Sequence, residues 1–167
     1  VVNGLNGEKA NKLENQTVYL KVDVDMSKLR WAAIDGFQGK FDGGGHMIYG
    51  ITIDEQSNNQ GFFGSIENAQ IINVDMVDIN ISALNNVGGL CGHAHNSIID
   101  NCSVSGTVYG IDNIGNLIGR LTNGTVNHCF VRGITIALND QAGGLIGEFR
   151  TLVDESSSSM INCYIRN

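Results

Sequence analysis

Four cysteines, four histidines and scattered acids are the residues of this chain that could carry chemistry. His93 and His95 are two residues apart, which could place both imidazoles on one strand face as a metal-binding pair. No third ligand accompanies them, so we expect solvent-exposed loop histidines. His46 follows three glycines and lies near Asp42, where a hydrogen bond that braces the turn is favoured over a catalytic pair.

The carboxylates do not have the spacing of a metal loop. Asp23, Asp25, Asp35, Asp42 and Asp54 are scattered, whereas calcium requires six or more oxygen ligands. The cysteines contain no Cys-x-x-Cys pair, so the sequence gives no support to a zinc site. We therefore expect no catalytic residue, no cofactor and no metal.

The aromatic residues could stack on a sugar ring if they shared a face. Trp31 lies where the regular pattern begins, and we expect it in the core. Tyr49, Tyr109 and Tyr164 are far apart in sequence, and Tyr109 and Tyr164 fall in different strands. A shared aromatic platform among these residues is therefore not expected.

A repeated glycine motif determines how all of these residues are positioned. Gly-Gly-Leu-Ile-Gly over 143–147 recurs in variant form at 61–64, 88–92 and 115–119. The motif closes at Gly64, Gly92, Gly119 and Gly147, so the interval between successive copies is almost constant. A fixed period of about 28 residues indicates a solenoid or repeat array.

Apolar residues recur with the same period in three columns. The columns are Ile48, Ile71, Ile99, Val126 and Met160; Ile51, Val74, Cys102, Cys129 and Cys163; and Ile53, Met76, Val104, Val131 and Ile165. A position between the first two columns holds Gly50, Asn73, Asn101, His128 and Asn162. Asparagine tolerates a left-handed backbone and stacks its amides, which is typical of a repeated corner. Three short strands per coil predict an all-β, right-handed parallel β-helix.

The cysteine column allows two interpretations. Neighbouring coils place Cα atoms about 4.8 Å apart, which permits a disulfide such as Cys102–Cys129. Stacked side chains point the same way, however, and three residues cannot all pair. We expect free thiols that pack as small apolar side chains.

Two regions depart from the repeat. Residues 1–30 are predicted to form an N-terminal cap, with a short helix over Gly7 to Glu14 and a strand over 17–24. Residues 31–167 are predicted to form the coils, in one continuous domain with the cap. The last coil is longer, and its surplus near 149–160 predicts a protruding, mobile loop.

Composition limits the partners. The net charge is −7, the sequence pI is about 4.8, and only 16% of residues are charged. This balance argues against nucleic acid, which requires clustered Lys and Arg. No apolar run has membrane-spanning length, so membrane insertion is not expected. The pattern stops inside a repeat, and we expect a longer parent chain.

The glycine motif followed by Ile-x-Asn-Cys-Tyr-Ile resembles the GLUG motif, most clearly at 143–147 and 161–165. Asn101-Cys102 belongs to another copy, and residues 41–48 look like the segment that precedes such repeats. The resemblance implies a β-helical, secreted or surface-anchored bacterial protein, adhesin-like, or a non-catalytic region of an immunoglobulin-A-cleaving metalloprotease. It offers no catalytic residues to transfer.

The sequence therefore predicts a non-catalytic structural or binding module, extracellular or at the cell surface, used in adhesion or display. Its partner would be a glycan or a host or matrix protein. One alternative is a carbohydrate-active β-helix enzyme of the polysaccharide lyase or hydrolase type, and another is an accessory region of a larger extracellular protease. The enzyme requires paired carboxylates in a lateral groove or calcium with a basic residue. We expect no arginine or lysine in an outward column beside clustered acids.

Overall fold

A computed structural model describes residues 13–152 and 157–166, and all regular structure within these ranges is β. The strands in chain order are β1 (Thr17–Tyr19), β2 (Val24–Asp25), β3 (Lys40–Asp42), β4 (Met47–Tyr49), β5 (Thr52–Asp54), β6 (Phe63–Glu67), β7 (Gln70–Ile72), β8 (Asp75–Ser82), β9 (Asn85–Gly88), β10 (Cys91–His95), β11 (Ile98–Asp100), β12 (Ser103–Gly115), β13 (Ile118–Thr122), β14 (Thr125–Asn127), β15 (Phe130–Gly143), β16 (Ile146–Arg150), β17 (Ser159–Ile161) and β18 (Tyr164–Ile165).

The strands form three parallel sheets, in which neighbouring strands come from successive coils. Sheet 1 contains the glycine-motif strands in the order β6-β10-β13-β16, and sheet 2 has the order β1-β3-β7-β11-β14-β17. Sheet 3 has the order β2-β4-β8-β12-β15-β18, with β5 paired to β8 and β9 paired to β12. The predicted parallel β-helix with three strands per coil is confirmed.

The core is one continuous apolar cluster that runs through the coils. Aromatic side chains fill its first part, and Trp31 stacks on Phe62 with ring centroids 4.8 Å apart. The Trp31 indole N–H also donates to the Phe62 carbonyl oxygen at 3.0 Å. The expectation that Trp31 lies in the core is confirmed.

The three predicted columns are correct from the second coil onward, but their first members are wrong, as is Gly50 as the first corner residue, because its N–H donates to the Val77 carbonyl. In sheet 2 the neighbour of Ile71 is Phe41, while Ile48 pairs with Met76 in sheet 3 and Ile53 pairs with Ile81. The cause is the three-glycine turn, because the chain between Phe41 and Ile48 is two residues longer than the chain between Ile71 and Met76. The longer turn shifts the apparent period in the first coil.

The start of the chain differs in detail from the predicted cap. The expected helix over Gly7 to Glu14 lies almost entirely outside the described residues. The expected strand over 17–24 is divided into β1 and β2, which pair in different sheets. The chain turns between them, and Leu20 N–H donates to the Asp42 carbonyl at 2.9 Å.

Inward-pointing side chains are partly exposed to solvent in the last described coil. Val126 and Val131 are fully or almost fully buried, but their stacked neighbours Met160 and Ile165 are 52% and 56% exposed. Each coil buries its inward side chains against both neighbours, and these two residues have a described neighbour on one side.

In the part of the chain that the structure describes, no helix is long and apolar enough to cross a membrane.

Candidate functional site

The predicted corner is an amide ladder with a left-handed backbone. Asn73, Asn101, His128 and Asn162 have φ angles of 55°, 52°, 49° and 52°. Asn101 Nδ2 donates to Asn73 Oδ1 at 2.8 Å, and Asn162 Nδ2 lies 3.2 Å from His128 Nε2. His128 also contacts Asp100 across the coils, with 2.9 Å between Nδ1 and Oδ1. These polar residues therefore stabilise the corner and need no catalytic explanation.

Two further rows of left-handed corner residues were missed in the sequence, and one of them forms an amide ladder. Positive φ angles recur at Asn68, Asn96 and Asn123, and again at Asn59, Asn86, Asn113 and Gln141. In the second set, Asn86 donates to Asn59 and Asn113 donates to Asn86, both at 2.8 Å. Both sets follow the period of the glycine motif, so a search for periodic asparagine would have found them.

The closing glycine of each motif packs against one of these corners. A Cβ on Gly119 would lie 2.4 Å from the Val87 backbone nitrogen and 2.5 Å from the Asn86 carbonyl carbon. A Cβ on Gly147 would lie 2.5 Å from the Asn113 carbonyl carbon. The glycine motif and the asparagine corner are therefore one packing unit, which explains why both follow the same period.

The three recurring cysteines stack in successive coils, as predicted. Backbone bonds connect the rungs: Phe130 N–H donates to the Cys102 carbonyl, and Tyr164 N–H to the Cys129 carbonyl, both at 3.1 Å. Cys102 and Cys129 are buried, Cys163 is half-buried, and all three have free thiols. The hydrogen bond between the Cys102 and Cys129 thiols and then burial raise the pKa of Cys129.

Cys91 in the glycine motif is also a buried free thiol, and burial raises its pKa. Nucleophilic cysteines require a lowered pKa and access to solvent. These cysteines have the properties of packing residues.

His93 and His95 lie on β10 and point outward from sheet 1, so the expectation that they lie in a loop is wrong. Register places them in two rows across four coils, which we call the sheet-1 face: Ser65, His93, Arg120 and Glu148, and Glu67, His95, Thr122 and Arg150.

The sheet-1 face also contradicts the expectation that no arginine lies in an outward column beside acidic residues. Arg120 Nε lies 3.0 Å from Glu148 Oε2, and Arg150 contacts the other oxygen of Glu148. His95 Nδ1 lies 3.6 Å from Glu67 Oε1. This arrangement could not be predicted from local sequence, because Arg120 and Glu148 are separated by one full coil of the chain, as are Glu67 and His95.

Burial determines the protonation state of His93. Loss of solvent, followed by the positive charge of Arg120, lowers the pKa of His93. Its Nε2 lies 3.3 Å from the Thr122 hydroxyl. His93 is therefore a neutral polar residue at physiological pH.

The carboxylates of the sheet-1 face are too far apart for glycoside hydrolysis by an acid pair. Glu67 and Glu148 lie on strands three rungs apart, about 14 Å at the usual strand spacing. Glycosidases require about 5–9.5 Å between the two carboxyl groups. Among residues 13–152 and 157–166, no group of three or more His, Cys, Asp or Glu side chains could hold a metal ion.

His46 braces a turn, but its partner is Asp23 rather than Asp42. The distance from His46 Nδ1 to Asp23 Oδ1 is 3.2 Å, and Met47 N–H donates to the same oxygen at 3.0 Å. Asp42 accepts from Asn73 Nδ2 and Gly44 N–H, both at 3.0 Å. The Asn73 hydrogen bond is the main cause of a lowered pKa of Asp42.

The other predicted acids lie at separate places. Asp25 accepts from Ser27 N–H at 2.9 Å, and Asp54 ends β5. Asp35 accepts from the Ser65 hydroxyl. Asp35 and Glu55 both line an open cavity of about 310 Å³, together with Asn58 and Gln60.

Tyr164 belongs to an aromatic pair that the sequence analysis did not identify. Its ring stacks on Phe130, with centroids 5.4 Å apart and planes inclined by 10°. Tyr164 is 53% exposed, and the two residues are register partners in sheet 3. Tyr49 lies on β4 and Tyr109 on β12. The pair could have been found in the sequence, because Phe130 and Tyr164 each directly follow a cysteine of the cysteine column, Cys129 and Cys163.

A groove of about 470 Å³ lies beside this pair on sheet 3. Its lining includes Asp75, Ser103, Ser105, Phe130, Arg132 and Arg166. Both arginines are exposed. Ser103 donates its hydroxyl hydrogen to Asp75 at one end of the groove.

The predicted loop is attached at the parts that the structure describes. Gly124 N–H donates to the Ser158 hydroxyl at 3.3 Å, and Ser158 N–H donates to Thr151 Oγ1 at 3.1 Å. Residues 153–156 in the middle of the predicted loop lie outside the described residues.

Comparison with known proteins agrees with this geometry. The GLUG motif matches residues 83–109, which span the glycine motif at 88–92 and the Asn101-Cys102 corner. A solved structure of a "putative immunoglobulin A1 protease" from Bacteroides ovatus is similar with a TM-score of 0.66 at 18% identity, over 93% of this chain and 71% of that chain. No curated protein matches the sequence. The chain thus contains a GLUG motif at residues 83–109 and has the fold of a parallel β-helix.

Proposed function

We propose that this β-helix is a non-catalytic structural and binding module of a secreted or cell-surface bacterial protein, used for adhesion or display. The observation that supports it best is the regular lateral surface. Outward side chains of sheet 1 stay in register over four coils, about 4.8 Å apart, and so form a long flat face. Repeat proteins use such extended surfaces to bind their partners.

The charges of the sheet-1 face also favour recognition over chemistry. Glu148 contacts both Arg120 and Arg150, and His95 contacts Glu67. Groups that contact each other in this way present a fixed pattern of donors and acceptors. A glycan or a host or matrix protein is the partner that such a polar face would suit.

The extracellular placement is proposed from the relatives. The GLUG motif and the likeness to a protein described as an immunoglobulin A1 protease support it. The same likeness favours a second candidate, in which the chain is an accessory region of a larger extracellular protease. The two candidates share the binding role and differ in what the parent protein does.

An enzyme remains the alternative from another class. Asp35 and Glu55 line one open cavity, and two carboxylates in one cavity are what a glycosidase requires. A polysaccharide lyase or hydrolase built on this fold would use that cavity.

One experiment separates these functions. The purified chain is tested for binding to a glycan array and to matrix proteins, and for release of reducing or unsaturated sugars from acidic polysaccharides. We expect binding without sugar release. Sugar release that is lost in a Glu55→Gln variant would establish the enzyme, and a chain that neither binds nor cleaves would be a spacer.

A further inference from the structure

Two arginines occupy adjacent rungs of the outer surface of sheet 3. Val131 pairs with Ile165, so the residues that follow them, Arg132 and Arg166, are neighbours across the rungs. Arg166 N–H donates to the Val131 carbonyl at 2.8 Å, which fixes this register. The backbone therefore holds two guanidinium groups on the last two described rungs of sheet 3, on strands about 4.8 Å apart.

Two carboxylates lie in the cavities that these arginines line, Asp75 in the groove and Asp78 in a second cavity beside Arg132, but neither forms an ion pair with them. The ion pairs among residues 13–152 and 157–166 do not include Arg132 or Arg166. Like charges directly opposite in a sheet destabilise it. An anion between the two guanidinium groups would remove this repulsion, and arginine binds carboxylates with two parallel hydrogen bonds.

The neighbouring column supplies an apolar surface. Phe130 and Tyr164 stand two residues before Arg132 and Arg166 on the same two rungs, and their rings stack with centroids 5.4 Å apart. The four side chains thus form a two-by-two block with aromatic rings on one side and guanidinium groups on the other. A ligand that suits it carries an anionic group and, within about 7 Å, a flat apolar face.

The adjoining groove limits the size of that ligand. Its volume of about 470 Å³ is within the usual range for small-ligand sites. The hydroxyls of Ser103 and Ser105 and the carboxylate of Asp75 line it, and these groups can bond sugar hydroxyls. A carboxylated sugar combines all three requirements: an acid group, a C–H face and several hydroxyls.

The rest of the chain disfavours a long polyanion. Residues 41–119 contain eight acidic residues and no lysine or arginine. A polymer with a charge on every unit would meet repulsion along these coils. A glycan that ends in one acidic sugar avoids them.

We propose that the block formed by Phe130, Arg132, Tyr164 and Arg166 binds the carboxylated terminal sugar of a glycan. This inference rests on the proposed binding function and assigns it a site and a ligand class. The guanidinium groups hold the carboxylate, the exposed outer face of the Tyr164 ring lies against the sugar ring, and the groove holds its hydroxyls.

The test is to titrate the full chain with 3′-sialyllactose, with a glucuronic acid disaccharide and with neutral lactose. NMR chemical-shift changes during each titration give the dissociation constant. We expect binding of at least one acidic sugar and none of lactose. The Arg132→Gln/Arg166→Gln double variant should bind at least about tenfold more weakly. Tyr164→Ala should also weaken binding, while Arg30→Gln, which removes an exposed arginine elsewhere, should leave it unchanged.

The outcomes that overturn the inference differ from those that overturn the function. Equal affinity of the double variant and the unaltered chain would refute the site, and equal binding of lactose would refute the ligand class, but both leave a glycan-binding module. Absence of binding to every glycan and matrix protein would refute both proposals. The unliganded double variant should melt no lower than the unaltered chain, because like-charge repulsion is removed.

Discussion

Two adjacent isoleucines on β11 give the sharpest prediction of the stacked-coil account. Ile99 points into the core and is 0% exposed, whereas Ile98 points outward and is 45% exposed. Ile99 is stacked between Ile71 and Val126, whose strands are hydrogen-bonded to β11 on both sides. Because hydrogen bonds hold the strands of Ile71 and Val126 in place, these strands cannot move into the cavity that Ile99→Ala would leave.

The expected free-energy losses therefore differ several-fold. Truncation of a fully buried isoleucine costs about 2–5 kcal/mol, and the fixed rungs favour about 4 kcal/mol for Ile99→Ala. Ile98→Ala removes side-chain atoms already half in solvent and should cost about 1 kcal/mol or less. The same change in composition at neighbouring positions thus makes a matched comparison.

Urea unfolding followed by the fluorescence of Trp31 measures both losses, since Trp31 is buried against Phe62. The slope with urea should be unchanged, so that the midpoint shift reports stability. Equal losses for the two variants, or a larger loss for Ile98→Ala, would refute the assignment of faces in sheet 2 and with it the stacking of the coils.

Three further predictions follow from individual residues. Gly119→Ala should destabilise the fold by about 3 kcal/mol in urea unfolding, because its Cβ would meet backbone atoms, while Gly45→Ala, with open space but a φ of 75°, should cost about 1 kcal/mol; equal costs would refute the packing role of the motif. Burial lowers the pKa of His93, so the unfolded chain takes up a proton that the folded chain does not, and stability present above about pH 6.5 should fall below it; a His93→Asn variant with an equally steep loss between pH 7 and 5 would contradict this. Cys163 should react with a thiol reagent in the folded protein while the other three thiols react only on unfolding, and mass spectrometry showing four thiols modified at one rate would count against the stacked column.

The period was sufficient to predict the fold class. Glycines that recur at an almost constant interval, with apolar columns between them, have few solutions other than a parallel β-helix. The asparagine corner was predicted for the same reason, because a left-handed backbone at a repeated position selects that residue. The first coil was misassigned since the three-glycine turn before His46 has two additional residues, and period alone cannot detect such an addition.

The candidate surfaces were harder to predict because they depend on contacts across coils. Arg120 and Glu148 are separated by one full coil of the chain, and only the register of β13 and β16 brings them together. Phe130 and Tyr164 are further apart in sequence than one regular coil, because the insertion in the last coil breaks the period between them. Hydrophobic alternation determines which side chains point outward, but pairing requires the exact number of residues in each turn.

The register of sheet 2 provides the most direct test of the account. Ile98 and Thr125 are register partners on adjacent rungs, so their Cα atoms should be about 4.8 Å apart, within reach of a disulfide. Asn127 lies two residues further along the strand, about 8 Å from Ile98 and beyond that reach. Oxidation of an Ile98→Cys/Thr125→Cys variant, with the bond mapped by mass spectrometry, should give a 98–125 disulfide, and an Ile98→Cys/Asn127→Cys variant should give none between its introduced cysteines. A 98–127 bond formed in equal or greater yield than the 98–125 bond would contradict the stacked coils.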